Sequence, residues 1–187
     1  MAVHLERVAA RQGRARRGDE HLLVLEAADA LRAKARAQGY SELLRESLGA
    51  TGACKGIIHL WSLDSLPGDK TTPASLAQAQ HLGYLSALNL VQAMVQASWR
   101  DSPPVYFLTR GLVAIAGESS SLSLSQAPLW GLGKVISIER PGLTCRRIDL
   151  DGGDAAEQAA QLCSELLAGT REEEVALHQG TRYVSRL

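Results

Sequence analysis

The sequence predicts an α/β fold of three layers, with a mainly parallel sheet and a β-hairpin at its C-terminal end. Three observations carry that prediction. Apolar strand candidates in PVYFLTRG and CRRIDLDG flank a helix in APLWGLGKVISIERP (Ala127–Pro141), and strand, crossover helix, strand is the unit of a parallel sheet. Between Pro73 and Trp99 apolar residues recur at threes and fours, which is helical spacing. The tail EEEVALHQGTRYVSRL alternates on both sides of Gln179–Gly180, as a hairpin with a two-residue turn does.

Taken in order, residues 1–18 are basic and helix-prone, with Arg7, Arg11 and Arg14 on one solvated face. No aromatic residues interleave them, so a surface helix is expected rather than a nucleic-acid arm. Leu22–Glu26 reads as a buried strand and residues 27–49 as helical, interrupted at Gln38–Gly39. A second strand is expected at Ile57–Trp61, followed by the loop SLDSLPGDK. Leu76, Leu82, Leu85, Leu88, Val91, Val95 and Trp99 mark the apolar face of the long helix, which Gly83 weakens by about 1 kcal/mol relative to alanine. Val105–Thr109 is the third strand, and the serine-rich Ser119–Ser125 is a plain connector. In the helix after it Pro128 suits the first turn and Pro141 stops the last. Leu129, Leu132, Val135, Ile136 and Ile138 give that helix a broad apolar face, and Trp130 adds a core or interface anchor. Arg146–Leu150 is the fourth strand, and Asp154-x-x-Glu157 opens a helix that Gly169 closes.

Composition narrows the function classes. The 187 residues suffice for one domain with a real core, and a hydrophobic fraction of 45% with zero formal net charge is ordinary for a globular protein. That balance points to neither nucleic acid nor an anionic membrane. Cys54, Cys145 and Cys163 lack metal-ligand spacing and fit a reducing cytoplasm. No apolar run approaches the roughly 20 residues of a membrane span.

Candidate chemistry is thin. Thr51-Gly52-Ala-Cys-Lys-Gly56 imitates the opening of the short-chain reductase pattern TGxxxGxG, but Ile58 replaces the last glycine and the stretch precedes a strand. Gly131-Leu-Gly133 lies inside a helix with no third glycine. Short-chain reductases pair a tyrosine acid with a lysine four residues later; here Trp130 precedes Lys134, and an indole cannot act as that acid. Thr109-Arg110 stands where those enzymes place a serine. The histidines His4, His21, His59, His81 and His178 are scattered, and His59 within a strand reads as a satisfied core residue. Asp64, Asp69, Asp149 and Asp151 end or follow strands, where loop solvation explains them as well as ligand binding does. No catalytic, cofactor-binding or metal-binding residue is therefore expected.

HLWSLD (His59–Asp64), FLTRG (Phe107–Gly111), QAPLWGLGKVISIERP (Gln126–Pro141), IDLDGG (Ile148–Gly153) and Glu172–Leu187 together resemble the ketoreductase region of modular type I polyketide synthases. More narrowly, they resemble its amino-terminal structural subdomain, a truncated Rossmann-like half without cofactor. The resemblance implies bacterial polyketide biosynthesis, a following catalytic half that holds NADPH and reduces β-keto groups, and contacts with neighbouring synthase domains. It implies one subdomain over 1–187: a basic helical lead-in (1–20), a truncated Rossmann-like core (21–170) and the hairpin (171–187). Two rivals stand beside the scaffold reading. One is an architectural pseudo-ketoreductase packed on an enoylreductase, dehydratase or methyltransferase domain. The other is an independent reductase with a site at Thr109, Arg110 and Lys134. The first eighteen residues read as the helix that follows the family's opening strand, so that strand is expected to be missing, and Leu22–Glu26 and Ile57–Trp61 are expected either to leave unpaired edges, inviting homo-oligomers, or to pair with each other.

Overall fold

The computed structural model describes residues 21–25, 37–48, 54–98, 101–115 and 122–186. Its six strands run β1 (His21–Leu25), β2 (Cys54–His59), β3 (Val105–Arg110), β4 (Cys145–Leu150), β5 (Glu174–His178) and β6 (Thr181–Val184), and they lie in that spatial order. All neighbours are parallel except β5 and β6. The α/β class and the hairpin are as the sequence predicts. Gln179 and Gly180, at φ 46° and 75°, give the tight turn whose twist matches the flanking strands. β1 pairs directly with β2, the second of the two arrangements the sequence leaves open for these strands. Among the described residues the outermost strands of the sheet are β1 and β6.

Strand alternation divides the core in two. Ile57, Val105, Phe107 and Cys145 point to one face and pack with α1 (Ala37–Leu48), α3 (Ser86–Gln96) and α4 (Ala127–Glu139). Ile58, Tyr106, Leu108, Ile148 and Leu150 point to the other, where Leu162 and Leu166 of α5 (Ala155–Leu167) meet them. Asp154 caps α5, its carboxylate accepting from Ala156 N and Glu157 N at 2.9 and 3.1 Å. No helix among the described residues is long and apolar enough to cross a membrane.

Several boundaries and faces differ from the sequence reading. Gln38–Gly39 lie in the first turn of α1, which begins at Ala37. β2 ends at His59, because Trp61–Asp64 coils into a 3-10 turn held by the Ser62 hydroxyl on the Leu108 carbonyl. That turn swings Trp61 into the core, 1% exposed, with its ring 6.0 Å from Tyr40 and 5.5 Å from His59. The long helix is divided: α2 (Pro73–Gln80), a π-helical stretch His81–Leu85, then α3. The wider turn shifts the helical phase, so Leu76, Leu85 and Val95 face outward while Ala87, Leu90 and Met94 fill the core.

The largest correction concerns α4. Leu129, Leu132 and Ile136 are buried as expected, but Val135 is 48% and Ile138 78% exposed, and Trp130 is only half-buried. The phase is fixed by Gly133, where an added Cβ would stand 2.6 Å from Cδ of Arg147. Only glycine lets the helix approach that arginine. The arcs bearing Val135 and Ile138 are thereby turned to the opposite side. The lead-in at 1–20 with His4, the stretch 27–36, Gly52, and Ser119–Ser121 of the serine-rich loop lie outside the described residues.

Candidate functional site

Ligands in parallel α/β folds bind where strands end at their carboxyl edge. At this edge Thr109 and Asp149 are the penultimate residues of β3 and β4, and Asp151 and His178 stand beyond β4 and at the end of β5. Alternation puts Thr109 and Asp149 side by side in register on the face covered by α4. Thr109 Oγ1 donates to Asp149 Oδ1 at 2.5 Å, and both side chains are buried. Leu112 N and Val113 N also donate to this carboxylate. Burial pushes the Asp149 carboxyl above its ordinary value, and the donors from Thr109, Val113 and Leu112 offset only part of that rise.

Other groups at the rim are likewise engaged. The Gln126 side chain clasps residue 110, accepting from Arg110 N at 3.0 Å and donating to Arg110 O at 3.1 Å. The Arg110 guanidinium reaches Gln158 Oε1 at 3.5 Å. Asp151 accepts from Gln179 N at 2.7 Å and Gly153 N at 3.1 Å. Its slight burial raises the pKa, but those two donors and the charges of His178 and Arg110 outweigh that, leaving it below the usual range. Ser125 and Gln126, both buried, belong to a short 3-10 turn pinned by Gln80 Nε2 to Ser125 O at 2.7 Å.

Thr109 and Lys134 are not brought into one site. The Lys134 ammonium lies 3.2 Å from Glu174 Oε1, at the first residue of β5, whereas Thr109 is committed to Asp149 near the end of β4. Lys134 lines an open cleft of about 550 Å³ with Arg147, Arg171, Arg186 and Glu172–Glu174, away from the carboxyl rim. His59 is fully buried; its Nε2 lies 2.8 Å from Ser86 Oγ, and burial pushes its pKa down to about 4. Because the Ser86 hydroxyl donates to the Leu82 carbonyl, Nε2 carries the imidazole proton. Asp64, Asp69 and His81 are exposed, Gly56 is buried inside β2, and Gly131 lies on the solvent side of α4. The Cys145 thiol is pushed up to about 12 by burial, which leaves it unreactive. Among the described residues no group of three or more His, Cys, Asp or Glu could hold a metal ion.

Sequence reasoning missed the two arginines of CRRIDL. Neighbours on a strand, they project to opposite faces and are both buried. Arg147 meets Glu173 at 3.0 Å and Glu174 at 3.4 Å. Arg146 meets Glu165 of α5 at 2.8 Å, and the same carboxylate receives Arg182 of β6 at 2.6 Å. Burial alone would raise the Glu165 pKa, but Arg182, Thr170 and Arg146 hold it below the usual carboxylate range. This network locks the hairpin to α5. The signal is the charge itself: two arginines in an otherwise apolar strand require buried partners.

Residues 11–187 match the family of the Rossmann-fold domain of the polyketide synthase extender module SpnB. Over 104 residues the chain is 36% identical to a phenolphthiocerol/phthiocerol polyketide synthase polypeptide of Mycobacterium tuberculosis, covering 55% of this chain and 5% of that one. Erythronolide synthase EryA3 of Saccharopolyspora erythraea is 32% identical over 126 residues, 67% of this chain and 4% of that synthase. The chain thus spans a small fraction of the curated relatives it matches. In structure it is similar to a C2-type ketoreductase from a modular polyketide synthase, with TM-score 0.65 and 24% identity over 87% of this chain and 38% of the other. It is similar also to a keto acid-selecting NRPS module containing adenylation, ketoreductase and pseudo Asub domains, with TM-score 0.71 and 20% identity over 91% of this chain and 15% of that one.

Proposed function

The chain belongs to the SpnB Rossmann-fold domain family of polyketide synthases, and from that premise we propose that it is the non-catalytic structural subdomain of a ketoreductase region. Residues 1–187 form one subdomain of a bacterial, cytoplasmic synthase. It scaffolds a separate catalytic half, which holds NADPH and reduces β-keto intermediates on an acyl carrier. The observation that carries this reading is the separation of Thr109 from Lys134. The first is spent on Asp149, the second on Glu174, and Trp130 stands where a proton donor would be needed.

A scaffold acts by lowering the cost of ordering its partner. The surface offered for that purpose is the outer side of α4, where Ala127, Gly131, Val135 and Ile138 leave Lys134 as the one charge before Glu139. Val95 of α3 shares a cleft of about 420 Å³ with the end of this helix, which extends the strip to a second element.

NADPH oxidation with a simple β-keto thioester tests the role, using the catalytic half alone and then with this chain added. Activity is expected to rise on addition, and Lys134→Ala to leave the rise intact. Turnover by this chain alone, abolished by Lys134→Ala, overturns the scaffold in favour of an independent reductase. No rise in any two-half pairing favours an architectural role beside other synthase domains. NADPH binding tighter than about 10 μM, near −7 kcal/mol, also contradicts the reading.

A further inference from the structure

The loop leaving β3 is folded around a carboxylate. Gly111, at φ 63°, turns the chain out of the strand. The next two amides then converge on Asp149. Leu112 N lies 3.1 Å from Oδ1 and 3.1 Å from Oδ2, Val113 N lies 2.9 Å from Oδ2, and Thr109 Oγ1 closes the remaining side at 2.5 Å from Oδ1. Successive backbone N–H groups after a left-handed residue make an anion-binding concavity. Burying a carboxylate is costly unless its oxygens are satisfied, and here both are. The side chain is 4% exposed and sits at the edge where α/β folds place their ligands.

We infer that Thr109, Leu112 and Val113 form a carboxylate-binding site occupied by the chain's own Asp149, a site that accepts a free small monocarboxylate once that side chain is removed. The cradle is matched to a planar, two-oxygen monoanion, which chloride does not imitate. Asp149→Ala removes a carboxylate and leaves the Cβ, so the missing fragment is formate. Asp149→Gly also removes the Cβ, so the missing fragment is acetate. With its own ligand in place the cradle holds Leu112 and Val113 at the rim. The site is independent of the role in a synthase, since neither cofactor nor catalytic half enters it.

Thermal unfolding of the full chain tests it, with sodium formate compared against sodium chloride at equal ionic strength. Asp149→Ala should melt about 5–10 °C below the parent chain, given the charged hydrogen bonds lost in a domain of this size. Formate, but not chloride, should recover at least half of that loss saturably at millimolar concentrations, while the parent chain does not respond. Asp149→Gly should prefer acetate. Equal responses to formate and chloride, or equal responses of parent and variant, overturn the inference. If neither variant folds, amide exchange on the parent chain decides. Slow exchange at both Leu112 and Val113 supports the cradle, and exchange as fast as at exposed Gly142 overturns it.

Discussion

At the carboxyl rim of the sheet, polar groups are consumed within the chain; on the outer side of α4, apolar groups stand in water. Thr109, Asp149, Gln126 and Asp151 each bind a neighbour at 2.5–3.1 Å, and a prospective ligand would have to displace those contacts. Val135 and Ile138, 48% and 78% exposed, gain from any partner that removes them from solvent. The contrast separates polar rim groups that are already engaged from apolar groups that are exposed. The proposed scaffold would act through that exposed surface.

Trp61 and Trp130 offer the strongest test of that contrast. Trp61→Ala should cost about 3–5 kcal/mol in chemical unfolding, the range for deleting a fully buried aromatic. Trp130→Ala, at a half-buried position, should cost about 1–2 kcal/mol. Equal costs would mean that the outer side of α4 belongs to the core, and the contrast would fail.

Much of the fold is legible in the sequence. The strands near Val105 and Cys145, the Asp154 cap and the Gln179–Gly180 turn rest on local rules, and local rules are written in the sequence. The phase of α4 is not local. It follows from the contact between Gly133 and Arg147, residues on different elements whose fit no periodicity reveals. The same holds for Trp61, drawn inward by a turn anchored on the β3 backbone, and for Asp149, whose donors come from another strand and its loop. The rim is readable only as a place where polar residues end strands. That those residues bind each other depends on the register of β3 against β4.

Next in size is the ionic lock between α5 and the hairpin. Glu165→Ala leaves Arg146, with a side chain 5% exposed, without its carboxylate. Breaking such a buried pair should cost about 3–5 kcal/mol in an unfolding titration. A loss below about 1 kcal/mol would show that the hairpin is held by apolar packing instead, and that polar groups are less committed than the rim suggests.

Acid probes the polar interior directly. His59 is buried neutral, with a folded pKa of about 4 against 6.5 for the free side chain. A base with a depressed folded pKa binds its proton more readily when unfolded, so its contribution is intact above about pH 6.5 and lost as pH falls towards 4. The full loss is about 3 kcal/mol. His59→Gln keeps a donor towards Ser86 and cannot titrate. Its stability should therefore fall less than that of the parent between pH 6.5 and 4, and coincident slopes would mean that His59 is already solvated.

The smallest effect on stability should carry the largest effect on function. Val135→Ser with Ile138→Ser changes two exposed positions on one side of α4, and should alter unfolding free energy by less than about 0.5 kcal/mol per site. In the two-half assay the same double variant should lose the activity gained on adding this chain, because the apolar area buried at the joint is removed. Lys134→Ala, on the same strip, serves as the control: its pair with Glu174 is exposed on the lysine side and worth at most about 1 kcal/mol. A double variant that keeps both its fold and its effect on the catalytic half would move the contact elsewhere, with the open edge of β6 the next surface to alter. One that loses its fold would show that α4 presents its apolar side inward after all, erasing the contrast between rim and surface.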